Sequence, residues 1–226
     1  MKNNWFIYND NANIQTKSRF DNQFQITIYA CKLLLGLIVA YWLLFPTSVF
    51  AHDNTVTGAG AFISGLTHPV LGFDHLLAML SVGILSAQIG GRAVWLVPLT
   101  FVGVMVVGGG IGLTVDGFPF TEIGIALSVV ILGVAIASDT STSMRIALIA
   151  VSLFALFHGY AHGVEIPHTD QPDLYIFGFM AGTTLIHIAG LVIGDISQHY
   201  DIGKTILRIG GGIIAFIGVL FLFGIL

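Results

Sequence analysis

Charge is scarce in this chain. Only 9% of its 226 residues are Asp, Glu, Lys or Arg, where a soluble globular domain carries roughly 25%. A water-exposed surface cannot be built from so few charges. With 55% hydrophobic residues and a mean hydropathy of +0.91, the chain reads as an integral membrane protein. Its apolar runs are long and continuous rather than alternating, which excludes a barrel and points to helices. Cysteine is almost missing as well, with Cys31 standing alone. No ATP-binding loop occurs, and the glycine clusters lack the strand–turn–helix setting of a nucleotide site. From His52 onward there are four cations, Arg92, Arg145, Lys204 and Arg208, against ten acids, a formal net of −6. That balance excludes nucleic acid as a partner and suits a cation.

The first fifty residues form a separate segment. Lys2, Lys17, Arg19 and Lys32 precede an apolar core from Leu33 to Phe45, followed by Ser48-Val49-Phe50-Ala51. A basic region, a short apolar core, Val at −3 and a small residue at −1 describe a secretory signal peptide over 1–51, cleaved after Ala51. The alternative is an uncleaved first transmembrane helix over Ile26 to Phe50. Cleavage removes Cys31, and with it any disulfide or thiolate metal site.

The remainder, 52–226, is expected to be one all-α transmembrane domain, a polytopic bundle of six helices. The spans read at about 71–89, 93–114, 119–138, 144–164, 173–195 and 204–225, each near the ~20 residues that cross the hydrocarbon core. Turn residues mark the breaks at Gly90-Gly91, Asp116-Gly117 with Pro119, Ser138 to Ser143, Pro167 to Asp173 and Ser197 to Gly203. A mature N-terminus outside the plasma membrane puts Arg92, Arg145 and Lys204 on the cytoplasmic side and leaves no cation outside. Six spans also allow two inverted halves of three, although the halves share little residue-level similarity. The glycines of Gly108 to Gly112, Gly178 to Gly182, Gly190 to Gly194 and Gly210 to Gly218 are placed for close helix packing.

Against this apolar background a few polar groups stand out. His158, His162 and Glu165 lie in LFHGYAHGVEI (156–166) at spacings of four and three. On a helix these share one face, so two imidazoles and a carboxylate can converge. His68, Asp74 and His75 form a second cluster in HPVLGFDH. Ionisable groups at membrane depth cost roughly 2.5–3.5 kcal/mol each on insertion scales, so two such clusters indicate a site for a divalent transition metal. Neutral imidazole suits zinc, copper, iron and nickel, and carboxylate widens the choice to manganese and magnesium. His68-Pro69 is expected in the loop leading into the first span, with Gly72 allowing close backbone approach. Asp74 either ligates directly or orients a histidine. Glu122 is the one acid within the third span, either a ligand or counter-charge or a helix-start residue. His187 falls about fourteen residues into the fifth span, roughly 21 Å at 1.5 Å per residue, either a deeper station or a histidine bonded to Thr183. Met79 is expected to pack, and His52, Asp53, His168, Asp170, Asp173 and His199 to be solvated.

HPVLGFDH (68–75) and FHGYAHGVE (157–165) resemble the two signature motifs of the HupE/UreJ family of secondary nickel and cobalt transporters. FGFMAGTTLIH (177–187) and Glu122 are similar to that family's pattern too, and the resemblance extends over the whole mature chain. It implies uptake of Ni2+ or Co2+ across the plasma membrane by a secondary permease without enzymatic activity, supplying a metalloenzyme or cobalamin synthesis. It also implies a metal-handling set of His68, Asp74, His75, His158, His162 and Glu165, with Glu122 and His187 beside it. The expected partners are the divalent ion and the bilayer, and no resident cofactor is implied. A different class is an intramembrane hydrolase, in which the same histidines hold Zn2+ and Glu165 or Asp74 serves as base. Histidine ligands must be neutral to bind. Metal uptake is therefore expected to weaken below about pH 6, close to the free imidazole pKa. Uptake into vesicles across an external pH series checks this, and full uptake at pH 5 would count against imidazole ligation.

Overall fold

The structure, a computed structural model, describes residues 59–115, 117–138, 142–166 and 171–226. The expected signal peptide, Asp116 and the stretch with His168 and Asp170 lie outside these residues. The described part is all helical: α1 (Ala59–Leu71), α2 (Phe73–Ile89), α3 (Ala93–Gly112), α4 (Thr121–Ser138), α5 (Met144–Val164), α6 (Pro172–Gln198) and α7 (Asp201–Leu222). Among the described residues, helices α3 to α7 are each long and apolar enough to cross a membrane. Helix α1 with α2 meets the same test only as a pair bent by 84°, which gives five spans, or six where the bent pair counts as one. Large apolar side chains such as Trp95, Leu99, Ile149 and Phe216 are exposed on the outside of the bundle, as a lipid-facing surface requires. The chain is a multi-pass membrane protein.

Helix ends follow the turn chemistry. Helix α2 stops at Gly90 and Gly91, whose φ values of 72° and 56° lie in the left-handed region that favours glycine. The Gly90 amide donates to Ser86 O. Pro172 opens α6 at a position where its missing N–H costs nothing.

The first span departs from expectation. His68 and Pro69 are not in a loop but inside α1. The break falls at Gly72, in extended conformation with φ −84° and ψ 112°. The physical reason is packing. Helix α1 lies against α6, where Gly65 faces Tyr175 O and Gly178 and Gly182 face the backbone of Phe62 and Leu66. That contact holds α1 helical through a proline whose missing N–H removes a single backbone hydrogen bond.

The other tight pairs are α3 with α5, α2 with α6 and α4 with α7, and each meets through glycine. Gly108 and Gly112 face Leu156 O and Tyr160 O, while Gly159 and Gly163 face Met105 O and Gly109 O. Gly83 faces His187 O, and Gly190 faces Leu80 O. The order of these contacts makes α3 parallel to α5 and α2 parallel to α6, with α4 antiparallel to α7. Three such pairs are what a twofold exchange of three-span halves produces, with His68 and His75 on the first half and His158, His162 and His187 on the second. Gly110, Gly210 and Gly212 have open space beside them, so packing does not account for them. Met79 is fully buried in the core with Val82, Val97 and Phe101.

A Cβ on Gly159 would overlap the Met105 carbonyl, so Gly159→Ala is expected to destabilise the protein by about 1–3 kcal/mol, as overpacking does. Gly110→Ala, with nothing near it, should stay within about 0.5 kcal/mol of the parent. Thermal unfolding of the two variants in detergent micelles measures the contrast.

Candidate functional site

The end of α5, the bend between α1 and α2, and the first half of α6 meet at one end of the bundle. His158 and His162 lie one turn apart on the buried face of α5. His68 enters from the last turn of α1 and His75 from the first turn of α2, so the 84° bend aims one imidazole from each arm at α5. Gly72 makes this turn feasible by its size. A Cβ there would lie 3.0 Å from His75 Nδ1 and 3.2 Å from Asp74 Oδ1.

The rings form a file. Centroids of His68 and His162 are 5.1 Å apart, His162 and His75 4.3 Å, and His75 and His158 4.7 Å. Beyond His158 the Phe101 ring of α3 stands at 5.6 Å, and on its other side His187 at 5.1 Å. Exposure falls along the way, from 53% for the Glu165 side chain and 27% for His68 to 0% for His158 and 2% for His187. Phe179 packs against His162 with centroids 4.4 Å apart, and Tyr175 lies 5.9 Å from His68, so the file has aromatic walls.

At its mouth, Glu165 Oε2 lies 3.3 Å from His68 Nε2 and 3.4 Å from His162 Nδ1. The first contact is a hydrogen bond. The second has ion-pair distance, yet both ring nitrogens of His162 lack a hydrogen-bond partner. His68, His162 and Glu165 each offer one ligand atom, and these lie within 4.8 Å of one another. Two borderline nitrogens and one hard oxygen suit a divalent first-row cation. The imidazoles of His162 and His68 hold the Glu165 carboxyl well below the usual carboxylate range, against the upward push of partial burial.

Asp74 does a different job. Its Oδ1 accepts from His75 Nδ1 at 2.8 Å and from the His75 backbone amide at 2.8 Å. A carboxylate only accepts, so Nδ1 carries the His75 proton and Nε2 keeps its lone pair. That Nε2 is buried without a partner, which is how a carboxylate prepares an imidazole for metal.

Glu122 stands apart from the file. It is exposed in the first turn of α4 and shares with Glu165, Tyr160 and Phe120 a surface depression of about 550 Å3. The Tyr160 hydroxyl straps this rim, donating to Val115 O at 2.9 Å and accepting from the Phe118 amide at 2.8 Å. His187 is not bonded to Thr183, because both of its nitrogens and Thr183 Oγ1 are buried without partners. His199 is exposed and bonded to Asp195 O. Sequence reasoning missed Phe101, Phe179, Tyr175 and Ser128, whose Oγ meets His158 Nε2 at 2.9 Å. A serine in the apolar run of α4 was a usable signal, whereas an aromatic among aromatics carries none.

The model of the family described as HupE / UreJ protein matches residues 27–221. Protein HupE of Rhizobium leguminosarum bv. viciae is 37% identical over 174 residues, covering 77% of this chain and 91% of the relative. No solved structure matches significantly.

Since the lowered pKa of Glu165 favours its anion, this carboxylate is expected to stay ionised at pH 4, where a free glutamate near 4.3 is more than half protonated. Infrared difference spectra of the parent against Glu165→Gln measure the protonated carboxyl band. A full band at pH 4 would mean that the two imidazoles do not hold the charge.

Proposed function

This chain belongs to the HupE / UreJ family, and on that premise we propose that it is a secondary permease for a divalent transition-metal cation, Ni2+ or Co2+. The observation that carries the proposal is the file from Glu165 and His68 through His162, His75 and His158 to His187. A hydrated cation meets the exposed carboxylate first and exchanges waters for oxygen and nitrogen donors at the mouth. Each next imidazole lies one ring contact further in, so the ion is handed on with little bare travel through apolar surroundings. Neutral imidazoles hold a borderline cation loosely enough for exchange, and no thiolate is present among the site residues to trap it.

Energy comes from the membrane potential. With the cytoplasm negative, a doubly charged ion gains roughly 4.6 kcal/mol per 100 mV, from about 2.3 per charge. The orientation that fits has the mouth outside the plasma membrane and Arg92, Arg145 and Lys204 inside, and the imported ion would supply a metalloenzyme or cobalamin synthesis. A zinc hydrolase needs three protein ligands and a bound water around one ion. Of its two candidate bases, Glu165 belongs to the donor trio with His68 and His162, and Asp74 is bonded to His75. Further imidazoles continue inward past that trio, which supports a path over a single tetrahedral centre.

Proteoliposomes with an inside-negative potential test the proposal. Uptake of Ni2+ or Co2+ is expected in the parent, rising with the potential, and His158→Ala is expected to abolish it. Parent vesicles that take up neither ion would overturn the permease.

A further inference from the structure

Ser128 sits in the middle of α4 with its side chain fully buried. Its Oγ is 2.6 Å from Ile125 O and 2.9 Å from His158 Nε2. A carbonyl can only accept, and a hydroxyl has one hydrogen to give. Ser128 therefore donates to Ile125 O, and the contact with His158 must run the other way, from Nε2–H to Oγ. A neutral imidazole carries a single N–H, so Nδ1 of His158 is left with a lone pair. That Nδ1 is fully buried and has no partner.

Helix packing alone does not require this arrangement. Ser86, a buried serine of α2, makes the same local bond to Gly83 O at 2.7 Å and satisfies itself without an imidazole. In Ser128 the second lone pair is spent on His158, the fully buried ring between His75 and Phe101. The pattern complements that of Asp74, which draws the proton of the neighbouring ring, His75, onto the opposite nitrogen. Two adjacent rings are thus locked in opposite tautomers, each with one buried, unpartnered nitrogen.

We propose that Ser128 is a positioning residue that holds His158 as the Nε2–H tautomer, so that Nδ1 is presented to the cation between the His75 step and the Phe101–His187 step. The assignment rests on the permease function proposed above and adds the residue that prepares its innermost clustered ligand. Replacing Ser128 by alanine removes the acceptor, and the His158 proton is then free to occupy either nitrogen.

The test uses the full chain in lipid bilayers, stripped of metal with a chelator and labelled with 15N-histidine. His158 signals are identified by their loss in His158→Ala. The expected spectrum has His158 protonated at Nε2 in the parent and in Ser128→Thr, and redistributed in Ser128→Ala. In proteoliposomes the Co2+ concentration for half-maximal uptake is expected to rise about tenfold or more in Ser128→Ala, as for other partners that orient metal-binding imidazoles. Ser128→Thr should restore it, and a thermal scan of each variant checks folding. A proton on Nδ1 of His158 in the parent overturns the proposal, as does a redistributed tautomer with unchanged half-saturation by Co2+. Parent vesicles that take up neither Co2+ nor Ni2+ overturn the permease and the ligand-presenting role together, while the spectrum still decides the tautomer on its own.

Discussion

The structure depends on how closely its helices approach. Imidazoles from α1, α2, α5 and α6 can form a file only if their backbones come nearer than ordinary side chains permit. Glycine makes that distance available. On α5, Gly159 and Gly163 each follow a histidine of the file, and both press against α3 carbonyls. On the opposite wall Gly83 rests on the carbonyl of His187 itself. In a bilayer, where lipid tails offer no hydrophobic drive for helix association, such contacts of small residues supply the packing energy. One set of contacts thereby stabilises the bundle and sets the spacing of the donor atoms.

Polar groups in this setting are costly unless paired, and the pairing here is selective. Glu165 is matched by two imidazoles, the Nδ1 side of His75 by Asp74, and the Nε2 side of His158 by Ser128. The nitrogens left over on His75, His158, His162 and His187 are buried and unpartnered. On the permease proposed above, these nitrogens are the donors the cation would meet. The Phe101 ring divides the stretch between His158 and His187, separating the clustered donors from the deeper one.

Much of this was legible in the residues because the membrane simplifies the code. Helix limits at Ile89, Ala93, Ser138, Met144 and Val164 fell where apolar runs met glycine, serine or charge. The convergence of His162 with Glu165 was visible as a spacing of three. The first span was not legible in the same way. Pro69 and Gly72 both announce a break, and local propensity favours the proline, yet the helix continues through Pro69 because α1 is held against α6. Nor was the contact between His68 and Glu165 legible, since 97 residues separate them.

The sequence by itself determined that the chain crosses a membrane as helices and which few side chains are anomalous there. Both follow from composition and period, which are local properties. Tertiary structure alone decided the order of the imidazoles, which nitrogen of His75 and of His158 stays free, and that Glu122 lies outside the file while Ser128 lies against it. Those outcomes depend on donors and acceptors brought together from different helices, and no spacing along one helix encodes the distance to another.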